Sequence, residues 1–170
     1  MNILLISDIH DNLPNLQVVL DFARQEKIGK LICCGDIGST ETLQYIIDNF
    51  VGEMWVVLGN ADRDKGDYQV IAKQRNNIHL FIWEGKFSVA GQQVLLVHEP
   101  EKYEKFLNDP SIDYIFYGHT HKPWQAFKQG KTILNPGNIS NYIYAPTCAV
   151  WQVENGKFSL IPLQLLYNSK

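Results

Sequence analysis

Five short segments of the sequence carry acidic, amide and imidazole side chains, which are the residue types that bind divalent metal ions. In chain order they are Asp-Ile-His at 8–10, Gly-Asp at 35–36, Gly-Asn-Ala-Asp at 59–62, an isolated histidine at 98, and Gly-His-Thr-His at 118–121. Seven of their side chains are candidate metal ligands: Asp8, His10, Asp36, Asn60, His98, His119 and His121. Seven nitrogen and oxygen donors without a thiolate are too many for one ion. They predict a pair of ions such as Mn, Fe, Zn, Ni or Co.

Each segment directly follows an apolar run that is typical of a buried strand, at residues 2–7, 31–34, 54–58, 93–97 and 113–117. Apolar residues recur at helical spacing between the first three runs, and the predicted helix starts are Pro14 and Thr40. This alternation of strands and helices predicts a parallel sheet covered on both faces. Ligands bind at the carboxyl ends of such strands, so we expect the seven side chains to meet at one edge.

The second half of the chain has a different pattern. Pairs of strand-like runs are separated by Gly91-Gln92, Gln129-Gly130 and Asn155-Gly156, which are typical hairpin turn signals. The whole pattern predicts a single domain over residues 1–170 of the mixed α/β class. We expect two packed mixed sheets with helices on their outer faces.

Length and composition exclude several classes of protein. The chain has 170 residues, 45% of them hydrophobic, which excludes a disordered protein or a coiled coil. No apolar run approaches the roughly 18 residues that span a bilayer. Asp8 ends the first apolar run too early for a signal peptide, so a cytoplasmic location is expected. Of the three cysteines, Cys33 and Cys34 are adjacent, and we expect reduced, buried thiols.

Taken singly, each segment has an ordinary structural explanation. An isolated Asp-x-His or His-x-His is usually a solvated loop, and Gly-Asp is usually a turn. Asn60 alone is typical of a turn or helix cap, and His98 alone of a hydrogen-bonded histidine at a strand end. The joint pattern, with all five segments placed after strand-like runs, is what predicts a shared site.

The five motifs in this order resemble those of the calcineurin-like metallophosphoesterases. The resemblance is to the small single-domain branch of bacterial and archaeal phosphodiesterases, and it extends through Asn135-Pro136-Gly137. It implies a four-layer αββα sandwich. It also implies hydrolysis of phosphate esters, most of all phosphodiesters, by hydroxide activated at two divalent ions. Mn²⁺ is the expected ion, with Ni²⁺, Fe²⁺, Zn²⁺ and Co²⁺ as alternatives.

The resemblance also implies a role for each candidate ligand. It divides them into two sets with one shared carboxylate: Asp8, His10 and His121 for one ion, Asn60, His98 and His119 for the other, and Asp36 for both. Asp36, Asn60 and His98 are the expected catalytic residues. Asn60 and Asn12 are the expected substrate contacts, and a loop-capping role for Asn12 is the alternative.

Two positions depart from the pattern of the wider family. Where that family usually has histidine in Gly-Asn-His-Asp/Glu, this chain has Ala61, which cannot donate a proton to a leaving group. Asp62 remains, either to orient a ligand or as an ordinary loop carboxylate. Glu99 stands where glycine is common, and we expect it to border the cleft and disfavour highly anionic substrates.

Two other functions are consistent with the same motifs. The first is a protein-interaction scaffold, since one eukaryotic sorting subunit uses this fold in that way. The second is a nuclease, which the net charge of −3 disfavours because phosphate binding needs a basic track. The expected partner is therefore a small phosphate ester, without a membrane or nucleic acid, and a homo-oligomer is possible. For Tyr142 and Tyr144, core packing is favoured over a subunit interface.

Overall fold

The computed structural model describes residues 1–167. In chain order the strands of this range are β1 (Asn2–Ile6), β2 (Lys30–Cys33), β3 (Glu53–Val57), β4 (Ile78–Phe81), β5 (Glu84–Val89), β6 (Gln92–Val97), β7 (Tyr114–Phe116), β8 (Trp124–Lys128), β9 (Lys131–Asn135), β10 (Thr147–Gln152) and β11 (Lys157–Pro162). The α-helices are α1 (Leu13–Gln25), α2 (Thr40–Asn49), α3 (Lys65–Ala72) and α4 (Leu163–Tyr167). Two short 3₁₀ helices, Pro100–Lys102 and Glu104–Phe106, lie between β6 and β7.

The strands form two sheets, one of six strands in the order β11-β10-β1-β2-β3-β4 and one of five in the order β5-β6-β7-β9-β8. In the first sheet β1, β2, β3 and β4 are parallel, and in the second β6, β7 and β9 are parallel. The carboxyl ends of parallel neighbours lie at the same edge. The loops after β1, β2 and β3 therefore leave one edge of the first sheet together, as do those after β6 and β7 in the second.

Strand β1 shows why the first apolar run is uninterrupted. Leu4 and Ile6 pack against the helices, whereas Ile3 and Leu5 pack into the layer between the two sheets. Successive side chains of a strand point to opposite faces, so a strand buried on both faces needs apolar residues at every position. All four of these side chains are fully buried.

Three apolar clusters hold the layers together. The first joins the α-helices to the outer face of the six-stranded sheet, and the second fills the space between the sheets around Trp151 and Phe116. The third covers the outer face of the five-stranded sheet with Leu107 and Ile112. The predicted sandwich of two mixed sheets with outer helices is confirmed. The helical cover of the second sheet consists of the two 3₁₀ helices.

Local structure departs from the sequence predictions at several points. The N-cap of α2 is Ser39, whose side chain accepts from the Thr42 N–H, and Thr40 is already inside the helix. The first hairpin turns at Ala90 and Gly91, both with positive φ, one residue earlier than expected. Three elements, α3, β4 and α4, carry no sequence pattern that predicted them. Tyr142 is 68% exposed and Tyr144 is 41% exposed, so the predicted core packing of both is wrong.

Two further expectations concern the chain as a whole. The three cysteines are free and buried, as expected. Over residues 1–167, no helix combines the length and the apolar character needed to cross a membrane.

Candidate metal centre

The predicted ligands converge at the edge where the parallel strands of both sheets end. Each follows a strand directly: Asp8 and His10 after β1, Asp36 after β2, Asn60 after β3, His98 after β6, and His119 and His121 after β7. Side chains from both sheets enter each of two groups. The site is therefore held by the packing of one sheet against the other.

The first group consists of Asp8, His10 and His121. Each offers one ligand atom, and these atoms lie within 4.8 Å of one another. His10 Nε2 is 3.3 Å from His121 Nε2, and Asp8 Oδ1 is 3.5 Å from the same nitrogen.

The second group consists of Asp36, His98 and His119, whose ligand atoms also lie within 4.8 Å of one another. The Asn60 side-chain oxygen lies beside them, 3.1 Å from His98 Nε2 and 2.9 Å from His119 Nδ1. The predicted amide ligand therefore lies beside the two histidines with which the family resemblance grouped it.

The Asp36 carboxylate lies between the two groups. Its Oδ1 is 3.3 Å from His98 Nε2 in the second group, and its Oδ2 is 3.6 Å from His10 Nε2 in the first. The backbone N–H of Ala61 donates to Oδ1 at 2.8 Å and fixes the orientation of the carboxylate. One carboxylate thus presents one oxygen to each group.

The hydrogen bonds of two histidines set the direction of their lone pairs. His98 donates Nδ1–H to the Cys34 carbonyl at 2.8 Å, and His121 donates Nδ1–H to the Tyr142 carbonyl at 3.1 Å. In the neutral imidazole the other nitrogen, Nε2, is then an acceptor. Both Nε2 atoms face further acceptors, namely the oxygens of Asp36, Asn60 and Asp8. Converging acceptors repel one another unless a cation lies among them or, as for His98 beside Asp36, Nε2 carries a proton.

These donors fit divalent metal ions. Two ligands about 2.0–2.1 Å from a common ion lie about 2.8–3.4 Å apart for bond angles near 90–110°. The donor separations of 2.9–3.6 Å in the two groups are close to that range. Histidines that donate their second nitrogen to a backbone carbonyl are typical metal ligands.

The backbone of the site is strained. Five of the seven predicted ligands have φ values in the left-handed region: Asp8 at 52°, His10 at 46°, Asp36 at 51°, His119 at 67° and His121 at 59°. Non-glycine residues adopt this region uncommonly and at a cost, and such residues cluster at functional sites. The strand-end loops retain these conformations because neighbouring backbone hydrogen bonds hold them, such as the one from Ile9 N–H to the Asp36 carbonyl at 2.8 Å.

Burial and charge shift the pKa values of the buried ligands. Burial raises the pKa of Asp8 to about 6, against a smaller lowering by His98. For Asp36 burial also raises the pKa, but the hydrogen bond and charge of His98, together with the Ala61 N–H and the charge of His10, outweigh burial and the pKa is lowered. Burial lowers the pKa of His98, and Asp36 more than restores it, so that the pKa is raised. At Asp8, burial therefore outweighs the positive charge and the hydrogen bonds that favour the ionised carboxylate.

Two glycines of the motifs allow the site to be compact. A Cβ on Gly59 would lie 2.0 Å from Asp36 Oδ1, and a Cβ on Gly118 would lie 2.0 Å from Ser7 Oγ. Any side chain at Gly59 would displace the shared carboxylate. The glycine before Asn60 is therefore part of the geometry of the site.

Asp62 joins two of the ligand-bearing loops. Its side chain is buried and accepts from the Gly59 N–H at 2.7 Å and from the Gly38 N–H at 2.9 Å. The loops that carry Asn60 and Asp36 are thus held by one carboxylate. This geometry favours the orienting role over an ordinary loop carboxylate.

A cavity of about 790 Å³ opens onto the site. Asn60 and His119 are exposed towards solvent, and both line this cavity. Asn12 also lines it, but its side-chain oxygen caps α1 through the Asn15 N–H and its N–H donates to the Ser140 carbonyl. The carboxamide of Asn12 therefore has a capping role, and its substrate contact stays a prediction.

Four residues that the sequence did not mark as candidates for the site also line the cavity. Tyr142 and Ile143 line it, together with Pro14 and Asp11. Two apolar residues after Asn-Ile-Ser-Asn carry no pattern that distinguishes a cavity wall from a core segment. Glu99, expected at the cleft, forms an ion pair with Lys102, which compensates its charge.

The chain is similar to known proteins along most of its length. Residues 1–156 match the calcineurin-like phosphoesterase superfamily domain. Phosphodiesterase MJ0936 of Methanocaldococcus jannaschii is 24% identical over 172 residues, covering 96% of this chain and 100% of that protein. The uncharacterized protein MJ0912 of the same organism is 30% identical over 171 residues, covering 81% of this chain and 69% of that protein.

A solved structure of a novel archaeal phosphodiesterase superposes with a TM-score of 0.87 at 21% sequence identity. The match covers 95% of this chain and 99% of that one, which shows a shared fold. The family match extends over most of the chain and includes all five motifs. The chain therefore belongs to the calcineurin-like phosphoesterase superfamily.

Proposed function

We propose that this protein is a phosphodiesterase of small substrates that depends on two divalent metal ions. The observation that carries the proposal is the Asp36 carboxylate, with one oxygen 3.3 Å from His98 Nε2 and the other 3.6 Å from His10 Nε2. A carboxylate in this position could be shared by two divalent ions, the arrangement that two-metal phosphoesterases use. Membership of the phosphoesterase family supports hydrolysis of phosphate esters as the reaction.

The proposed ligands form two sets with one shared residue: Asp8, His10 and His121 for one ion, Asn60, His98 and His119 for the other, and Asp36 for both. Every one of these positions holds a side chain able to coordinate, which favours the enzyme over a scaffold. Bound divalent ions would lower the pKa of water and neutralise charge on the phosphoryl oxygens.

The chain's own residues orient these groups. The Nδ1–H groups of His98 and His121 remain donated to carbonyls, which keeps both Nε2 lone pairs directed into the site. We propose Asp36, Asn60 and His98 as catalytic residues, and Asn60 also as a substrate contact because it is exposed at the cavity. The methyl group of Ala61 cannot protonate a leaving group, so esters with weakly basic leaving groups are the expected substrates.

We propose Mn²⁺ as the ion, since carboxylate and amide oxygens suit Mn²⁺. Ni²⁺, Fe²⁺, Zn²⁺ and Co²⁺ are the alternatives that a metal analysis would distinguish. A cavity of about 790 Å³ supports a small organic phosphate as the substrate. The free, buried thiols support a reducing compartment and hence the cytoplasmic location expected from the sequence.

The test combines metal analysis with hydrolysis assays. Chelator-treated protein should regain hydrolysis of bis(p-nitrophenyl) phosphate on addition of Mn²⁺ and bind about two ions per chain. Asp36→Asn should lose most of this activity, whereas Asp48→Asn, an exposed carboxylate on α2, should retain it. Full activity of Asp36→Asn, or no hydrolysis of any phosphate ester by the Mn²⁺-loaded protein, would overturn the proposal.

A further inference from the structure

One wall of the cavity is apolar although it is exposed to solvent. Tyr142 is 68% exposed and Ile143 is 78% exposed, and both line the cavity that contains His119 and His121. Exposed apolar side chains beside a polar site are typical of a surface that binds the apolar part of a ligand. We refer to Tyr142 and Ile143 as the apolar wall.

The apolar wall is built on a strained turn. Ile143 has a φ of +71°, and the Tyr144 N–H donates to the Tyr142 carbonyl at 2.9 Å. These values describe the rare form of the γ-turn, whose central residue has a positive φ. For a β-branched residue this conformation is an outlier, and such strain persists only where the surroundings enforce it.

The side chain of Asn138 holds the turn through hydrogen bonds to its backbone. Its side chain is fully buried, and its oxygen accepts from Ser140 Oγ at 3.0 Å and from the Tyr142 N–H at 3.2 Å. Its N–H group donates to the carbonyls of His121 and Tyr144, each at 3.1 Å. One buried carboxamide thus fixes both sides of the turn and joins it to the loop after β7.

The apolar wall is also coupled directly to the proposed metal centre. The Tyr142 carbonyl accepts from His121 Nδ1 at 3.1 Å, and the two rings meet edge to face with centroids 6.1 Å apart. The wall therefore has a defined position relative to the site where phosphorus would react.

We propose that Tyr142 and Ile143 form a subsite for a flat aromatic group of a phosphodiester, the group esterified opposite the leaving group. This inference rests on the proposed function and names its substrate class. A tyrosine ring and an aliphatic side chain offer a flat aromatic group apolar contact area and no charged partner for a second phosphate. The Asp11 carboxylate lines the same cavity, which disfavours further anionic groups.

The kinetic test uses two diesters with the same leaving group. Bis(p-nitrophenyl) phosphate carries a second aromatic group, whereas methyl p-nitrophenyl phosphate carries a methyl group in its place. The wild-type protein should favour the aromatic diester through KM. Ile143→Ser and Tyr142→Ser should each raise KM for that diester about tenfold, with little change for the methyl diester. Val51→Ser, at a β-branched residue that is 91% exposed and outside the cavity, is the matched control and should leave both values unchanged.

A binding measurement separates this inference from the proposed function. Phenylphosphonate and methylphosphonate contain no ester bond, so calorimetry measures their binding to Mn²⁺-loaded protein without turnover. The phenyl compound should bind more tightly to the wild type, and both wall variants should remove the difference. Equal KM shifts for the two diesters, or a phenyl preference that survives in both variants, would overturn the subsite. A different outcome would overturn the proposed function and leave the subsite intact. In that outcome the protein hydrolyses no ester, but it prefers the phenyl compound and both variants abolish the preference.

Discussion

Replacing Asp8 by asparagine should stabilise the metal-free protein and remove its response to Mn²⁺. Asp8 is fully buried, and burial raises the pKa of its carboxyl from 3.8 to about 6. The folded state therefore holds the proton more tightly than the unfolded state does. Above pH 6 the ionised carboxylate opposes folding unless a cation binds to it. The neutral amide avoids this cost.

The size of the effect follows from the pKa difference. A shift of one pKa unit corresponds to about 1.4 kcal/mol, so a rise from 3.8 to about 6 corresponds to about 3 kcal/mol. This carboxyl contributes stability below about pH 4, and the contribution is lost as the pH rises towards 6. An amide at position 8 can still accept from the His119 N–H, which now lies 3.1 Å from both carboxylate oxygens.

The assay is urea unfolding of chelator-treated protein between pH 5 and pH 8. The free energy of unfolding of Asp8→Asn should exceed that of the wild type, with a difference that grows towards neutral pH and is constant above about pH 7. Saturating Mn²⁺ at 100 times its Kd should stabilise the wild type by about 2.7 kcal/mol, and the variant far less. Asp48→Asn controls for the loss of an exposed carboxylate.

Two results would refute this reasoning. A metal-free Asp8→Asn protein less stable than the wild type at pH 8 would mean that burial of the carboxylate is already compensated. A stability difference independent of pH would mean that the variant changes packing and not the ionisation of Asp8.

Three further substitutions test other parts of the site. Ala61→His should increase the hydrolysis rate most for esters with strongly basic leaving groups, because an imidazole can protonate such a leaving group. The slope of log kcat against leaving-group pKa should therefore become shallower. An unchanged slope would place leaving-group protonation elsewhere. Ile143→Gly should raise the free energy of unfolding by about 1 kcal/mol in urea, since glycine adopts a positive φ without strain; a loss of stability would show that Ile143 packs favourably. Asp62→Ala leaves the N–H groups of Gly38 and Gly59 without their carboxylate acceptor. The free energy of unfolding in urea should fall by about 2–4 kcal/mol. Mn²⁺ binding, measured by calorimetry, should weaken about 10–100-fold. Wild-type Mn²⁺ affinity in this variant would contradict its orienting role.

Sequence alone determined much of the fold because local patterns suffice where burial is uniform. The uninterrupted apolar run of β1 indicates burial on both faces. The glycine of Gln129-Gly130, between two strand-like runs, indicates a hairpin turn, and both residues have a positive φ in the structure. The position of the candidate ligands also follows from local order, since each comes directly after a strand. The parallel arrangement of β1, β2 and β3 then requires their loops to share an edge.

Elements with weak local signals depended on tertiary contacts. The helix Lys65–Ala72 has only two buried residues, Tyr68 and Ala72, and β4 is a four-residue edge strand. The choice of Ser39 as the cap of α2 depends on Asp11, a distant residue that accepts from its N–H and hydroxyl groups. Contacts between residues distant in the chain, such as Asp11 with Ser39, cannot be inferred from a short stretch of sequence.

Tertiary structure alone decided how the ligands are divided and directed. The sequence placed Asp36 after a strand, but only the packing of the two sheets directs one oxygen towards His98 and the other towards His10. The positive φ of Ile143 likewise exists because the buried Asn138 enforces it from a different part of the loop. Residue type and order determine which groups are available. Distances between them depend on contacts across the fold, because these contacts set the backbone conformation at each ligand.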